Sequence, residues 1–471
     1  MIWNEKRTRM TVILLLGLGV FLRFYFYFGH VYSDDAYYNY LAYTFYKGNF
    51  GADYLGYPIC FVRMGQTWLT AFAFWLFGTN EAATTVFPMI FSIFNMVLAY
   101  KLTKIITKSE INSVLVLLFT VFYPTEILFA SIAFTDLFST VFIHSGILLL
   151  FIADRDKKLW YSVIAGVLFF VSVLFKINVF YTSILLSGLI LYQLYSRKVF
   201  NKYIFTSLAV LGAGMIFEGV IYYFINGDFF YRLTAMSSMS TFSAHDFVNQ
   251  GDLPDIIENI KAVLLRRTMV FIPLLAVIQM ILHRKKRKNR LVVYWFSGLV
   301  LLYLFFTMTF TEYKPMPLRF TWYLFPLFLP SMMLASKLLS EMKKGWMFFC
   351  VFIYITAALY YTDHFRGYFN MDEISDFNNF LRDKEERVIY TDHFTKYSID
   401  LIDGHKEPSR TVRLSFEEES CVPAGSLIAV HTGHTSELAK QGFVYPDESS
   451  FISDEFEELK RFGPFIIYEK K

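Results

Sequence analysis

TVILLLGLGVFLRFYFYF (residues 11–28) leads directly into GHVYSDDAYYNYLAYTFY (residues 29–46). The first run is apolar for long enough to cross the ~30 Å hydrocarbon core of a bilayer. Basic residues precede it, as in a secretory signal, but no small-residue cleavage site follows it, so we predict an uncleaved first span. The second run places two adjacent carboxylates, Asp34 and Asp35, a few residues beyond the end of that span.

The composition is that of a membrane protein. Of the 471 residues, 55% are apolar and 20% are aromatic, which is more than a soluble domain of this length carries. The net charge of +4 is small, and the basic residues sit in short clusters between apolar runs, so we predict no nucleic-acid partner. The three cysteines are too widely spaced to predict a disulfide framework or a CxxC metal site.

Further apolar runs follow the first, and together they predict an all-α polytopic membrane domain with about eleven transmembrane helices. These runs lie near residues 82–102, 111–129, 133–153, 159–175, 177–195, 203–225, 267–283, 291–311, 319–340 and 345–362. Every second connection carries a basic cluster, and Lys and Arg in short loops are retained on the cytoplasmic side. We therefore predict a multi-pass protein of the cell membrane with a cytoplasmic N-terminus and two long outer loops, residues 29–81 and 226–266.

The two outer loops differ in pattern. In the first, Tyr, Trp, Phe and Leu recur at helical spacing within residues 34–48 and 66–77. Aromatic side chains suit the membrane–water interface, so we predict two helices that lie in it. The second loop has turn-forming sequences such as NQGDLP and little apolar periodicity, so turns are predicted there.

Charged residues become frequent beyond residue 362, and apolar runs shorten to strand length. Such runs occur at residues 388–391, 426–432 and 465–470, with helical pieces between them. This alternation predicts a small extracytoplasmic α/β domain, residues 363–471, after a membrane domain of residues 1–362.

Asp34 and Asp35 are the sharpest candidates for catalysis. Adjacent residues of a helix diverge by about 100°, so the two cannot face one ligand equally. One carboxylate could act as a general base or bind a cation while the other caps the helix that follows. The catalytic and the capping interpretations both stay open.

A second signal is a group of cations on the predicted outer side, where the positive-inside rule disfavours them. They are Arg63, Lys176, Arg266, Arg267, Lys314 and Arg319. Lys176 and Arg319 stand at short outer turns or helix ends, which favours an anionic ligand such as a phosphate or diphosphate. For Arg266 and Arg267 we prefer snorkelling toward lipid phosphates.

Asp136 lies near the outer end of the fourth predicted span, where a carboxylate needs a partner. It could orient a cation or an acceptor hydroxyl, or form a structural ion pair with one of the basic residues. Asp34, Asp35 and Asp136 could supply oxygen ligands to a divalent cation, but no closed metal-ligand pattern is visible, so no metal is assigned.

Three stretches together resemble the GT-C superfamily of integral-membrane glycosyltransferases. They are SDDAYYNYLAYTFYKGNF (residues 33–50), RMGQTWLTAFAFWLFGTNEAA (residues 63–83) and RFTWYLFPLFLPSMMLAS (residues 319–336). The nearest relatives in pattern are the protein O-mannosyltransferases and the lipid A aminoarabinose transferases. The latter have a Lys-Pro-Pro stretch where this chain has Arg63, Met64 and Gly65, so the charge is retained but the Pro-defined turn is not.

The resemblance implies transfer of a sugar from a polyprenyl-phosphate donor to an acceptor on the extracytoplasmic side, with inversion. It implies that Asp34 or Asp35 supplies the catalytic carboxylate. Arg63, Lys176 and Arg319 would then bind the donor phosphate, with Asp136 in support.

The implied partners are the polyprenyl-phosphate sugar, a lipid, glycan or protein acceptor of the cell envelope, and membrane lipids. The alternative is a lipid-linked oligosaccharide flippase or transporter. Such a protein should carry ionisable groups near the bilayer midplane and matched broken helices in two halves.

Overall fold

The structure is a computed structural model, and it describes most of the chain. The described residues are 5–49, 62–235, 253–265, 270–282, 290–305, 321–368, 370–384, 386–405, 409, 411–413, 422–432 and 455–471. Within these ranges the chain is mostly helical and has one small sheet near its C-terminus. The predicted combination of a helical membrane domain with a small C-terminal α/β unit is therefore confirmed in outline.

The first ten described helices belong to residues 5–226. They are α1 (Glu5–Tyr25), α2 (Asp34–Tyr46), α3 (Met64–Phe77), α4 (Glu81–Thr107), α5 (Glu110–Phe122), α6 (Pro124–Phe129), α7 (Thr135–Asp156), α8 (Trp160–Phe175), α9 (Val179–Arg197) and α10 (Lys202–Asn226). The later helices are α11 (Leu253–Leu265), α12 (Ile272–Leu282), α13 (Arg290–Phe305), α14 (Phe325–Glu341), α15 (Lys344–Tyr368), α16 (Met371–Arg382) and α17 (His393–Ile402), and a 3-10 turn, Thr321–Leu324, precedes α14.

Each predicted span overlaps at least one described helix, while residues 267–269, 283, 306–311 and 319–320 of these spans lie outside the described residues. Six of these helices, α1, α4, α7, α9, α10 and the one that begins at Lys344, are long and apolar enough to cross a membrane. The helices α5, α8, α12 and α13 are apolar but shorter. The number of eleven spans and the domain boundary at residue 363 therefore remain predictions.

Local sequence sets several of the helix ends. Asn80, Ser109 and Asn201 accept a backbone N–H with their side chains at the starts of α4, α5 and α10. Pro124 divides the predicted span at residues 111–129 into α5 and α6, because proline lacks the N–H that would continue the helix. Proline is tolerated in the first turn of α6, where that N–H would be unpaired in any case.

The second predicted outer loop is more regular than its sequence suggested. Its described residues include α11, so the expectation of little apolar periodicity in residues 226–266 was wrong for this part, and residues 249–252 of NQGDLP lie outside the described residues. Ile256, Ile260 and Val263 recur at helical spacing, and Pro254 lies in the first turn, where it is favoured. The turn-forming residues just ahead of this helix concealed the pattern.

The helices pack as layers whose outward surface is apolar. Contacts join α7 to α8, α8 to α10, and α5 to α14, with Phe119 and Phe169 fully buried between them. Leu14, Phe21 and Phe224 point outward and are more than half exposed. An apolar surface of this kind is solvated by lipid tails, as expected for a membrane domain.

A buried polar network ties four of these helices together. The Arg23 Nε of α1 donates to Ser92 Oγ of α4 at 2.6 Å, and its guanidinium lies 3.9 Å from Glu126 of α6. Ser92 and Asn95 both donate to Glu126 at 3.0 Å, and His144 of α7 bonds Asn95 at 3.1 Å. The cation inside the first span is thus compensated by a carboxylate, as burial of charge requires.

The C-terminal sheet has five strands in the order β2-β1-β3-β5-β4. They are β1 (Ile389–Thr391), β2 (Thr411–Arg413), β3 (Leu427–His431), β4 (Phe456–Phe462) and β5 (Phe465–Lys470). β1 runs parallel to β2 and β3, and β5 runs antiparallel to β3 and β4. The three predicted strands are confirmed, whereas β2 is very short and β4 is mostly exposed and charged, so neither showed an apolar run.

One side chain of the first predicted outer loop belongs to the core around the C-terminal sheet. Tyr32 packs with Phe377 and Phe465, and its hydroxyl donates to Asn378 Oδ1 at 2.6 Å. Its backbone has φ 56°, a left-handed conformation that a bulky residue adopts only when its surroundings impose it. The segment just ahead of Asp34 is therefore anchored in the C-terminal domain.

Candidate active site

Asp35 is turned back onto the residues that precede α2. Its carboxylate accepts the backbone N–H groups of Val31 at 2.8 Å and Ser33 at 2.7 Å, and it lies 2.7 Å from His30 Nδ1. Burial alone would raise the pKa of Asp35, but His30 and these two N–H groups outweigh it and lower the pKa. Asp35 is thus a buried, charged group that fixes the turn before the helix.

His30 completes this arrangement. Burial disfavours its charged form, but the charge and hydrogen bond of Asp35, together with the charge of Glu81, raise its pKa. Since Nδ1 faces a carboxylate, it carries the proton, and Nε2 lies 2.8 Å from the Ser398 hydroxyl of α17. His30 therefore links Asp35 to the C-terminal domain.

Asp34 has the opposite environment. Its side chain is exposed and makes no hydrogen bond or ion pair within the described part of the chain. Burial is nevertheless the strongest influence on it, which raises the pKa of Asp34 although Arg63 acts in the opposite direction. Asp34 is therefore an exposed carboxylate whose charge is influenced by Arg63. Asp34 has the features of a group that is available to a ligand.

A buried ion pair lies close enough to Asp34 to act on its charge. Lys176 ends α8, and its Nζ lies 2.5 Å from Asp136 Oδ1 at the start of α7. The same ammonium lies 4.4 Å from the ring centroid of Tyr323, within the range of a cation–π contact. The sequence left several roles open for Asp136, and the structure shows the ion pair with a basic residue.

Arg63 is placed immediately before α3. Its guanidinium donates to the Tyr38 hydroxyl, which lies one helical turn beyond Asp34 on α2. The carbonyl of Val62 accepts a hydrogen bond of 2.7 Å from Arg232, which is paired with Glu218 of α10. Arg63 is thus held by a contact from α2 and by a buried ion pair behind its backbone.

These groups form one electrostatic unit, which we call the Asp34 cluster: Asp34, Arg63, Asp136 and Lys176. All three of the others act on the charge of Asp34, the two cations favouring it and Asp136 opposing it. The structure therefore brings together four of the residues singled out in the sequence, from three separate regions. Arg319, Arg266, Arg267 and Lys314 lie outside the described residues.

The acidic residues of the site do not form a ligand set for a cation. Asp35 is saturated by His30 and two N–H groups, and Asp136 is held by Lys176. Within the described ranges, no group of three or more His, Cys, Asp or Glu side chains is arranged to hold a metal ion. No chemical step is therefore derived through a metal.

Four neighbours of the site were missed by sequence reasoning: His30, Tyr38, Tyr323 and Ser398. Tyr38 follows Asp34 by four residues, so helical spacing could have revealed it. His30 precedes Asp35 by five residues in an irregular segment, which carries no periodic signal. Ser398 lies 368 residues from His30, and only the folded chain brings them together.

A mostly helical chain with a small C-terminal sheet is consistent with the fold of the GT-C glycosyltransferases. Residues 64–223 of the 471 match the model of the dolichyl-phosphate-mannose-protein mannosyltransferase family. Among curated proteins, no sequence matches the chain.

Solved structures share the fold over nearly the whole chain. ArnT from Cupriavidus metallidurans bound to undecaprenyl phosphate is 12% identical with a TM-score of 0.61, and the match covers 97% of both chains. ArnT in the apo state is 13% identical with a TM-score of 0.58 and the same coverage. The Archaeoglobus fulgidus oligosaccharyltransferase in complex with zinc and sulfate is 11% identical with a TM-score of 0.51, covering 93% of this chain and 70% of that one. The family model and the shared fold confirm the resemblance to GT-C glycosyltransferases.

Proposed function

We propose that the protein transfers a sugar from a polyprenyl-phosphate donor to an acceptor on the extracytoplasmic face of the membrane. The observation that carries this proposal is the placement of Asp34, accessible and without a hydrogen-bond partner among the described residues, beside Arg63 and Lys176. The match to a mannosyltransferase family and the fold shared with ArnT support a lipid-linked donor.

Asp34 is the proposed general base. It takes the proton of the acceptor hydroxyl as the acceptor oxygen forms a bond to the anomeric carbon of the sugar. The bond between that carbon and the phosphate oxygen breaks, and the polyprenyl phosphate leaves with the electron pair. A raised pKa suits this role, because a carboxylate of higher pKa is a stronger base.

Arg63 and Lys176 are the proposed ligands of the donor phosphate. Charge accumulates on the phosphate as it leaves, and fixed cations in a site sheltered from water stabilise that charge. Asp136 keeps Lys176 in position, and Tyr38 does the same for Arg63. Arg319, predicted to bind the same phosphate, remains a proposal from sequence.

Gly65 provides a test of the donor site that does not remove a charge. A Cβ built on Gly65 would lie 2.6 Å from the ring of Phe175, which stacks with Phe138 and with Phe142 and precedes Lys176. We expect Gly65→Ala to push the start of α3 away from the end of α8 and to weaken binding of polyprenyl phosphate by roughly 10-fold. Equilibrium binding of radiolabelled polyprenyl phosphate measures this.

The matched control is Gly212→Ala, because a Cβ at Gly212 meets no atom within 4 Å. This variant should bind polyprenyl phosphate like the wild type. Equal affinity in Gly65→Ala and Gly212→Ala would contradict the proposed closeness of Arg63 and Lys176 in the donor site.

The proposal is tested by transfer from radiolabelled polyprenyl-phosphate sugars in sealed membrane vesicles of known orientation. Label should enter an envelope acceptor only when the donor and acceptor share the face that carries the C-terminal domain. Transfer on the opposite face would contradict the proposed sidedness. An absence of transfer from a full panel of polyprenyl-phosphate sugars would argue against the function itself.

A further inference from the structure

The C-terminal domain is seated directly on the helix that carries the proposed base. The Tyr40 ring of α2 stacks on Tyr397 of α17 with centroids 3.8 Å apart, and Tyr43 stacks on His405 at the same distance. Aromatic stacks of this kind fix orientation as well as contact. The domain is thus attached to α2 itself and not only to the end of the last span.

A chain of polar contacts leads from this domain to Asp34. Ser398 of α17 contacts His30 Nε2 at 2.8 Å, His30 Nδ1 contacts Asp35 at 2.7 Å, and Asp35 binds two N–H groups of the turn that precedes α2. Ser398, His30 and Asp35 are all buried, so water does not compete with these contacts. Asp34 is the next residue after that turn.

From this geometry we infer that the C-terminal domain positions the base of the membrane domain through a Ser398–His30–Asp35 relay. The inference rests on the proposed function, because it assigns positioning roles around Asp34. Asp35 fixes the turn that leads into α2 and so the position of Asp34, His30 holds Asp35, and Ser398 fixes the imidazole ring. None of the three touches the reacting atoms.

The relay also sets the charge next to Asp34. The titratable groups that face His30 are Asp35 on α2 and Glu81 on α4, and the amide of Asn39 lies 3.4 Å from Nδ1. A protonated His30 offsets the charge of Asp35, which otherwise disfavours ionisation of Asp34. Replacing His30 with a neutral side chain should therefore move the acid limb of the pH–kcat profile to higher pH.

The test compares Ser398→Ala with Thr79→Val. Thr79 Oγ1 donates to the Gly404 carbonyl at 2.9 Å, so it joins the same two parts of the chain without touching the relay. We expect Ser398→Ala to lower kcat by roughly 10-fold, with little change in the donor KM, and Thr79→Val to behave like the wild type. Rates are normalised to the fraction of enzyme that binds polyprenyl phosphate, so that misfolded protein does not contribute.

A double-mutant cycle with His30→Asn separates a relay from a general weakening of the contact between the C-terminal domain and α2. Asparagine keeps a donor near Asp35 but cannot reach Ser398, so Ser398→Ala should have no further effect on kcat in that background. Equal losses in Ser398→Ala and Thr79→Val, additive losses in the cycle, or an unmoved acid limb in His30→Asn would overturn the relay. Asp34→Asn is measured in parallel: wild-type turnover in this variant would remove Asp34 as the base, whereas an absence of sugar transfer in the wild type would count against the proposed function itself.

Discussion

Replacing Asp34 by asparagine is expected to lower turnover by roughly 10²-fold or more, because the amide cannot accept the proton of the acceptor hydroxyl. Asparagine has the same shape, and Asp34 makes no hydrogen bond among the described residues, so the variant should fold and bind donor normally. Initial rates of sugar transfer at saturating donor measure the effect. Asp372→Asn is the control, since Asp372 is an exposed carboxylate of α16 outside the Asp34 cluster.

The pH dependence should identify the same group. Asp34 acts as a base only when deprotonated, so turnover falls as the pH is lowered through its pKa in the folded protein. Because that pKa is raised above the ordinary value of 3.8, the acid limb should lie above that of an ordinary aspartate. Full turnover in Asp34→Asn together with an inactive Asp35→Asn would assign the base to Asp35 instead.

Loss of either cation is the second large effect that we expect. Lys176→Gln and Arg63→Gln should each lower kcat by roughly 10²-fold, because a fixed cation stabilises the leaving phosphate more in the transition state than in the bound donor. Arg63→Lys should recover part of this loss, since it retains the charge but not the forked geometry. Inhibition by free polyprenyl phosphate, measured alongside kcat, reports how much each cation contributes to binding of the polyprenyl phosphate.

The control for charge alone is Lys261→Gln, which removes an exposed cation paired with Glu258 on α11. This variant should leave both kcat and the inhibition constant of free polyprenyl phosphate unchanged. Asp136→Asn should lower kcat in the wild type but not in the Lys176→Gln background, because the two side chains form one pair. Unchanged turnover in both Lys176→Gln and Arg63→Gln would remove these residues from the donor site.

Patterns that repeat along the chain were predictable from the sequence. The apolar runs predicted the apolar helices, and the aromatic spacing within residues 34–48 and 66–77 predicted α2 and α3. Strands with an apolar run were found, whereas the exposed β4 was not. The helix α11 was missed because the turn-forming residues ahead of it drew the interpretation toward a loop.

Asp34, Asp35, Arg63, Asp136 and Lys176 could also be selected from sequence, because ionisable side chains near the end of a membrane span are expensive and need a reason. Their different roles could not be predicted from the sequence. Asp34 and Asp35 are neighbours of identical chemistry, and only contacts with residues 30–33 direct one into a buried pair and leave the other accessible.

The sequence by itself predicted a largely helical membrane protein and selected the ionisable residues of the candidate site, since both follow from hydrophobicity and charge along the chain. Tertiary structure alone decided that Asp35 is held by His30 while Asp34 is exposed. It also decided that Asp136 pairs with Lys176, and that the C-terminal domain contacts the site through Ser398. The reason is physical: the ionisation and orientation of a buried group depend on neighbours within a few ångströms, and Ser398 and His30 become neighbours only when the chain folds.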